Sequence, residues 1–172
     1  MLSKKERQAI NIICKGGDKI SIKLEAAKIS IFICNYLNDY PNEDIYLKNI
    51  KYPTLKKIKK YLEHYMHNTP KKIEMPLPNK DFKDCIDEWD YDFINCDTET
   101  ILELMVAANF LDINSLLDLT SAKIASLIKG KNSEEIRRIL NMENDIDECD
   151  EIEEQANNNK NLMEQKNSLF FI

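Results

Sequence analysis

The two histidines, His64 and His67, stand three residues apart, a spacing that puts both imidazoles on one face of a helical turn, and Glu63 precedes them. Imidazoles so placed can share a zinc ion, and either could titrate near neutrality as a general base. A metal needs at least a third ligand, and the sequence specifies none. Neither histidine is accompanied by a Ser or Cys nucleophile motif, so a catalytic triad has no support. An exposed polar helix end accounts for the pair better. "GKNS" (Gly130–Ser133) ends like a phosphate loop but lacks the upstream glycine that a backbone cradle needs, and a helix cap explains it better. The acids of Asp145–Glu154 do not follow the order of calcium-loop ligands, and the central glycine is missing. Cys14, Cys34, Cys85, Cys96 and Cys149 contain no Cys-x-x-Cys pair. The residues therefore predict no cofactor, no metal and no catalysis, which leaves interaction with other proteins.

The bulk properties agree. A chain of 172 residues with 43% hydrophobic content is one domain, or a small domain with an appended piece. A net charge of -6 argues against nucleic acid, whose phosphates require a basic surface. No apolar run approaches 18 residues, so no membrane span is expected. "MLSKKERQAINIIC" has charge without a long apolar stretch and does not read as a signal peptide. An odd number of widely spaced cysteines fits a reducing compartment, and the expected location is cytoplasmic and nuclear. Charge is segregated along the chain. Lys48 to Lys60 holds six lysines and no acid, whereas eight of the twelve residues from Glu143 to Glu154 are acidic.

Several elements can be read from pattern. "AINIIC" (Ala9–Cys14) and "KISIK" (Lys19–Lys23) alternate as strands around a "KGGD" hairpin turn. A helix is expected from about Glu25, a second over Ile31–Leu37 capped by Ser30, and a third strand over Asp44–Ile50. Pro53 suits the first turn of a helix that places Leu55, Ile58, Tyr61, Leu62 and Tyr65 on one face. Three prolines between Asn68 and Glu88 predict a long exposed loop. "WDYDFI" starts a short helix, and Asp97 or Thr98 caps another over Glu99–Phe110. Asp112 is expected to cap the following helix, which should bury Ile113, Leu116, Leu117, Thr120, Ile124, Leu127 and Ile128. Gly130 ends that helix. Asn132 with Glu135 forms a capping box that opens "SEEIRRIL". This last helix offers Ile136, Ile139, Leu140 and Met142 but leaves little sequence to cover them. Either it packs back on the domain or a partner covers it.

At "ILELMVAANFLDINSLLDLTSAKIASLIKGKNSEEIRRILNMENDI" (Ile101–Ile146) the chain resembles the S-phase kinase-associated protein family, the adaptor subunit of SCF-type cullin–RING ubiquitin ligases. "INIICKGGDKISI", "AAKISIFICNYL" and "EWDYDFINCD" are similar to other parts of that family, so the resemblance runs from about Ile10 to Ile152. It implies an α+β class: a BTB/POZ fold with a three-stranded sheet and surrounding helices, followed by a C-terminal helical extension. The corresponding boundaries are 1–8 for an N-terminal lead, 9–128 for the BTB/POZ-like domain with 68–88 as its exposed loop, 129–165 for the extension and 166–172 for a tail. The resemblance implies a non-catalytic adaptor with two binding faces. Asn109 and Phe110 match the pair that meets the cullin N-terminal domain, and the strand around Ile45 and Leu47 is expected near them. Ile101, Met105, Ile124, Ile128, Ile136, Ile139 and Leu140, with Lys129, Gly130 and Lys131, match the positions that meet F-box proteins. An apolar face of that kind predicts aggregation or self-association when the protein is free, a homodimer being one form of it.

The chain also departs from the family. Members usually carry a tryptophan in the last helix where an ungapped reading puts Lys160, and Phe170 and Phe171 are the candidate substitutes. Glu148 stands where some protist relatives carry a modified proline, so that modification is not expected. Two other readings use the same fold. An elongin C-like adaptor lacks an extension such as "GKNSEEIRRIL". A BTB self-association module belongs beside a DNA-binding or membrane domain, for which the sequence leaves no room.

Overall fold

The computed structural model describes residues 8–74, 76–78 and 81–142. They belong to two compact units, Met1–Lys131 and Asn132–Ile172. The expectations placed on Lys160, Phe170, Phe171, Glu148 and Cys149 lie outside the described residues.

The first unit opens with strands β1 (Ala9–Cys14) and β2 (Lys19–Lys23), as the alternation predicts. Ile10, Ile12 and Cys14 point inward from β1, and Ile20 and Ile22 from β2. The turn works because Gly16 and Gly17 take φ of +103° and +89°, where a side chain would be strained. A short α1 (Leu24–Ala27) and α2 (Ile31–Asp39) then lead to β3 (Ile45–Leu47). β2 pairs antiparallel and β3 parallel with β1, giving the order β2-β1-β3. The third strand is shorter than predicted because the chain turns after Leu47, where the Ile50 N–H donates to the Leu47 carbonyl.

Helix α3 (Tyr52–Tyr65) buries all five of its predicted face residues, and Thr54 with them. Pro53 lies in its first turn, where no intrahelical N–H bond is lost. The segment expected to be a plain loop holds a one-turn helix α4 (Phe82–Cys85) and a buried Ile86. Helix α5 (Glu88–Ile94) stacks Trp89 between His64 and Phe93, with centroid distances of 3.6 and 5.1 Å. His64 is therefore half-buried against an indole face rather than an exposed helix end, whereas His67 is exposed. Helices α6 (Thr98–Phe110) and α7 (Asn114–Ile128) pack on each other, and α6 packs on α3.

Buried polar side chains join some of these elements and are satisfied within others. The Tyr65 hydroxyl donates to Asp90 Oδ1 at 2.7 Å, and the Thr54 hydroxyl to Glu103 Oε2 at 2.6 Å. Thr120 returns its hydroxyl to the Leu116 carbonyl of its own helix. Satisfied in this way, the groups avoid the desolvation cost of an unpaired polar atom.

The second unit contributes α8 (Ser133–Leu140), opened by the predicted capping box. The Glu135 N–H donates to Asn132 Oδ1 at 2.9 Å, and the Asn132 N–H to Glu135 Oε2 at 3.0 Å.

Candidate protein-binding site

Asn109 and Phe110 end α6, and the three residues after them make the turn that presents them. The Asp112 N–H donates to the Asn109 carbonyl at 3.2 Å, and the Ile113 N–H to the Ala108 carbonyl at 2.9 Å. This pair of bonds closes a Schellman motif, whose residue past the helix end must be left-handed. Asp112 takes that place with φ +51°. It is not the predicted N-cap of α7, since a capping residue needs extended φ and ψ; Ile113 stands there without a side-chain cap bond. Leu111 and Ile113 are fully buried and anchor the turn on both sides.

Ser30 fastens this corner to α2. Its oxygen accepts from the Ile33 N–H at 3.1 Å, as predicted for a cap, and its hydroxyl donates to the Leu111 carbonyl at 2.5 Å. The neighbouring Ile31 N–H donates to the Asp112 carbonyl. Phe32 then lies under the Phe110 ring, with centroids 5.0 Å apart. Phe110 remains 47% exposed and Asn109 is exposed, so both face outward on a rigid base.

Phe110 is also the last of three apolar residues spaced by four along α6. Leu102 is half-buried, and Val106 is 67% exposed. The inner face carries Ile101, Leu104, Ala108 and Leu111, all fully buried. A helix apolar on both sides is either wholly buried or covered by something else. Beside the outer stripe lies a groove of about 400 Å³, walled by Leu102, Val106, Phe110 and Ile50. The ion pair of Lys51 with Glu103 closes its rim. Bonds from Lys51, and then from Thr54, hold the Glu103 carboxyl below its ordinary range, and the same contact raises Lys51.

Three expected contact residues are corrected. Ile45 and Leu47 are buried at 1% and 2% exposure, because the odd positions of β3 face the core. Between them Tyr46 faces outward at 65%. Ile101 is fully buried on the inner side of α6, so it is a core residue. Met105 is half-buried.

The other expected face begins on α7. Its first half is core, through Leu116, Leu119, Thr120 and Ala122. Leu119 and Ala122 were not on the predicted face. Leu117 and every residue from Lys123 through Ile128 are half-buried, so Leu117, Ile124, Leu127 and Ile128 are less covered than predicted. Lys129, Gly130 and Lys131 follow, all exposed. Gly130 has φ +73° and open space where a Cβ would stand, so the glycine is needed for its backbone conformation and not for room.

Within the second unit, Ile136, Ile139 and Leu140 share one side of α8 at spacings of three and four. No residue of this helix is fully buried. Met142 is 58% exposed. Asn141, at φ +52°, closes a second Schellman motif through the Met142 N–H bond to the Arg137 carbonyl.

The residues missed by sequence reasoning are Leu102, Val106, Phe32 and Tyr46. A signal existed for the first two, since "ILELMVAANF" is apolar at positions that cannot all face one way. Phe32 carried none, because only the fold brings it under Phe110.

Residues 114–161 match the model of the Skp1 family, dimerisation domain, a match that starts at the first residue of α7. A protein of Tetrahymena thermophila named S-phase kinase-associated protein 1 homolog is 38% identical over 139 residues, covering 80% of this chain and 84% of that one. A protein of Arthroderma benhamiae named E3 ubiquitin ligase complex SCF subunit sconC is 35% identical, covering 80% and 85%. The namesake in Aspergillus fumigatus is 34% identical, covering 80% and 87%. A three-stranded sheet with surrounding helices and further C-terminal helices is the BTB-like fold with its C-terminal helices, and the chain belongs to the Skp1 family.

Proposed function

We propose that the chain is the adaptor subunit of an SCF-type ubiquitin ligase, joining a cullin to F-box substrate receptors without chemistry of its own. The observation that carries this reading is the outward apolar stripe Leu102–Val106–Phe110, braced by Phe32 and Ser30. The cullin N-terminal domain covers that stripe together with Asn109. F-box proteins cover apolar residues of the last turns of α7 with the Lys129–Lys131 segment that follows in the chain, and apolar residues of α8. Holding both partners makes the meeting of substrate and ubiquitin-loaded enzyme an event within one assembly, which raises effective concentration. Helix α7 has 15 residues and spans roughly 22 Å at 1.5 Å per residue. It starts at the Asn109–Phe110 corner and ends at Lys129, and it serves as the strut between the two functions. Without an F-box protein the exposed apolar side chains drive self-association, and the assembly works in the cytoplasm and nucleus.

Binding of a purified cullin N-terminal domain and of an F-box peptide to two variants tests the proposal. Phe110→Lys is expected to weaken cullin binding at least tenfold and to spare the F-box. Ile124→Asp with Ile128→Asp is expected to do the opposite, because a carboxylate pressed into an apolar contact is left without a partner. If either variant keeps its fold and loses both partners, the two-face model fails.

A further inference from the structure

A second groove, of about 850 Å³, lies on another part of the first unit and belongs to neither proposed face. One wall is α3, with Lys56, Lys57 and Lys60, and the other is the β2 segment Lys19–Ser21. Tyr52, Pro53 and Trp89 supply its apolar surface. Lys19 is paired with Asp44 at 3.0 Å, and Lys59 with Glu63 at 3.7 Å. Lys56, Lys57 and Lys60 have no carboxylate within ion-pair distance among the described residues. Lys57 donates to the Phe93 carbonyl at 3.4 Å, and Lys57 and Lys60 sit 5.4 and 5.9 Å from the Phe93 and Trp89 ring centres, which leaves Lys56 with no such contact among the described residues. Lys56 and Lys60 are four apart on one helix, an arrangement that destabilises it. The first turn of α3 carries no acid to offset the positive end of its dipole.

The occupant can be narrowed by chemistry. Trp89 is sandwiched by His64 on one side and Phe93 on the other, with interplanar angles of 2° and 11°, so neither indole face is free to stack a nucleobase. A phosphate backbone would leave the Tyr52 and Pro53 surface unused. β2 is the edge of the sheet and pairs on one side only, with β1. Edge strands attract an extended chain through backbone bonds, while alternate side chains fill pockets. We propose that this groove docks an extended acidic peptide of a partner protein, with carboxylates on the lysines and alternating apolar side chains on the floor.

Trp89, the single tryptophan of the chain, reports on the groove directly. Its emission is titrated with a synthetic peptide of alternating Glu and Leu at low salt. A saturable change is expected, weakened at least tenfold by Lys56→Glu with Lys60→Glu and by raised salt. Lys56→Gln with Lys60→Gln, which adds no new charge, should weaken it less but in the same direction, while cullin and F-box binding stay unchanged. The proposal is overturned if no saturable change occurs, if both double variants bind as the parent does, or if a Gln–Leu peptide binds equally well. Tighter binding of single-stranded DNA than of the Glu–Leu peptide would likewise overturn it in favour of a general anion surface.

Discussion

Helices α6 and α8 are built at their ends by the same devices and differ in what lies between. Each starts on a side chain that accepts from the first turn: Asp97 from the Thr100 N–H at 2.8 Å, and Asn132 from the Glu135 N–H. Each stops in a Schellman motif with a polar residue held left-handed, Asp112 and Asn141. Yet α6 buries a complete inner face, and α8 buries no residue fully. Caps decide where a helix begins and ends, and burial decides how firmly it is held. An apolar outer stripe on α6 is therefore a rigid surface ready for a partner. The apolar side of α8 gains its full stability when something covers it.

The comparison breaks most visibly at the core. Leu104→Ala is expected to lower unfolding free energy by roughly 2–5 kcal/mol, the cost of a buried leucine with the cavity it leaves. Ile139→Ala should cost less than about 1 kcal/mol, while weakening F-box binding. Urea denaturation of the two variants measures both values, and equal losses would erase the distinction between the helices.

Ser30→Ala tests how the corner beneath Phe110 is held. It removes the α2 cap and leaves the Leu111 carbonyl short of a buried donor, at roughly 1–3 kcal/mol. Cullin binding should fall with it even though Ser30 is buried, because Phe110 loses its fixed base. A normal cullin affinity in a destabilised variant would show that the brace is dispensable.

A smaller effect is expected from Asn132→Ala, which removes half of the capping box at about 1 kcal/mol. Amide exchange should speed up in α8 and stay unchanged in α3 and α6. If α6 also exchanged faster, the two helices would be parts of one cooperative unit.

The smallest effects come from two carboxylates with opposite pH behaviour. Glu103, lowered by Lys51 and Thr54, adds stability above its unfolded pKa that is lost as pH falls through the lower folded value. Asp90 is raised, chiefly by burial, although the Tyr65 hydroxyl bond opposes the shift. Its contribution therefore grows as pH falls from above its folded pKa toward the unfolded value. Glu103→Gln should flatten the loss of urea midpoint on acidification. Asp90→Asn, which keeps an oxygen acceptor for Tyr65, should leave the protein at least as stable at pH 7. A less stable Asp90→Asn protein at that pH would show that the charge itself is needed.

What the sequence determined is local. Alternation of Ile10, Ile12, Ile20 and Ile22 set the hairpin, the Leu55–Tyr65 face set α3, and Ser30, Asp97 and Asn132 set three helix starts. Each signal lies within a few residues of its effect, in side-chain period or in a hydrogen bond to the nearby backbone. The Asn109–Phe110 pair was legible as a helix end, and its surface role through the family resemblance. Tertiary structure decided the rest, because direction relative to the core depends on residues far away in the chain. It turned Ile45, Leu47 and Ile101 inward and left Tyr46 and Val106 outside. It also forced Asp112 into a left-handed turn between two buried anchors, set Phe32 and the Ser30 hydroxyl beneath a corner some eighty residues later, and gathered a run of lysines along α3 into one wall of a groove against an edge strand.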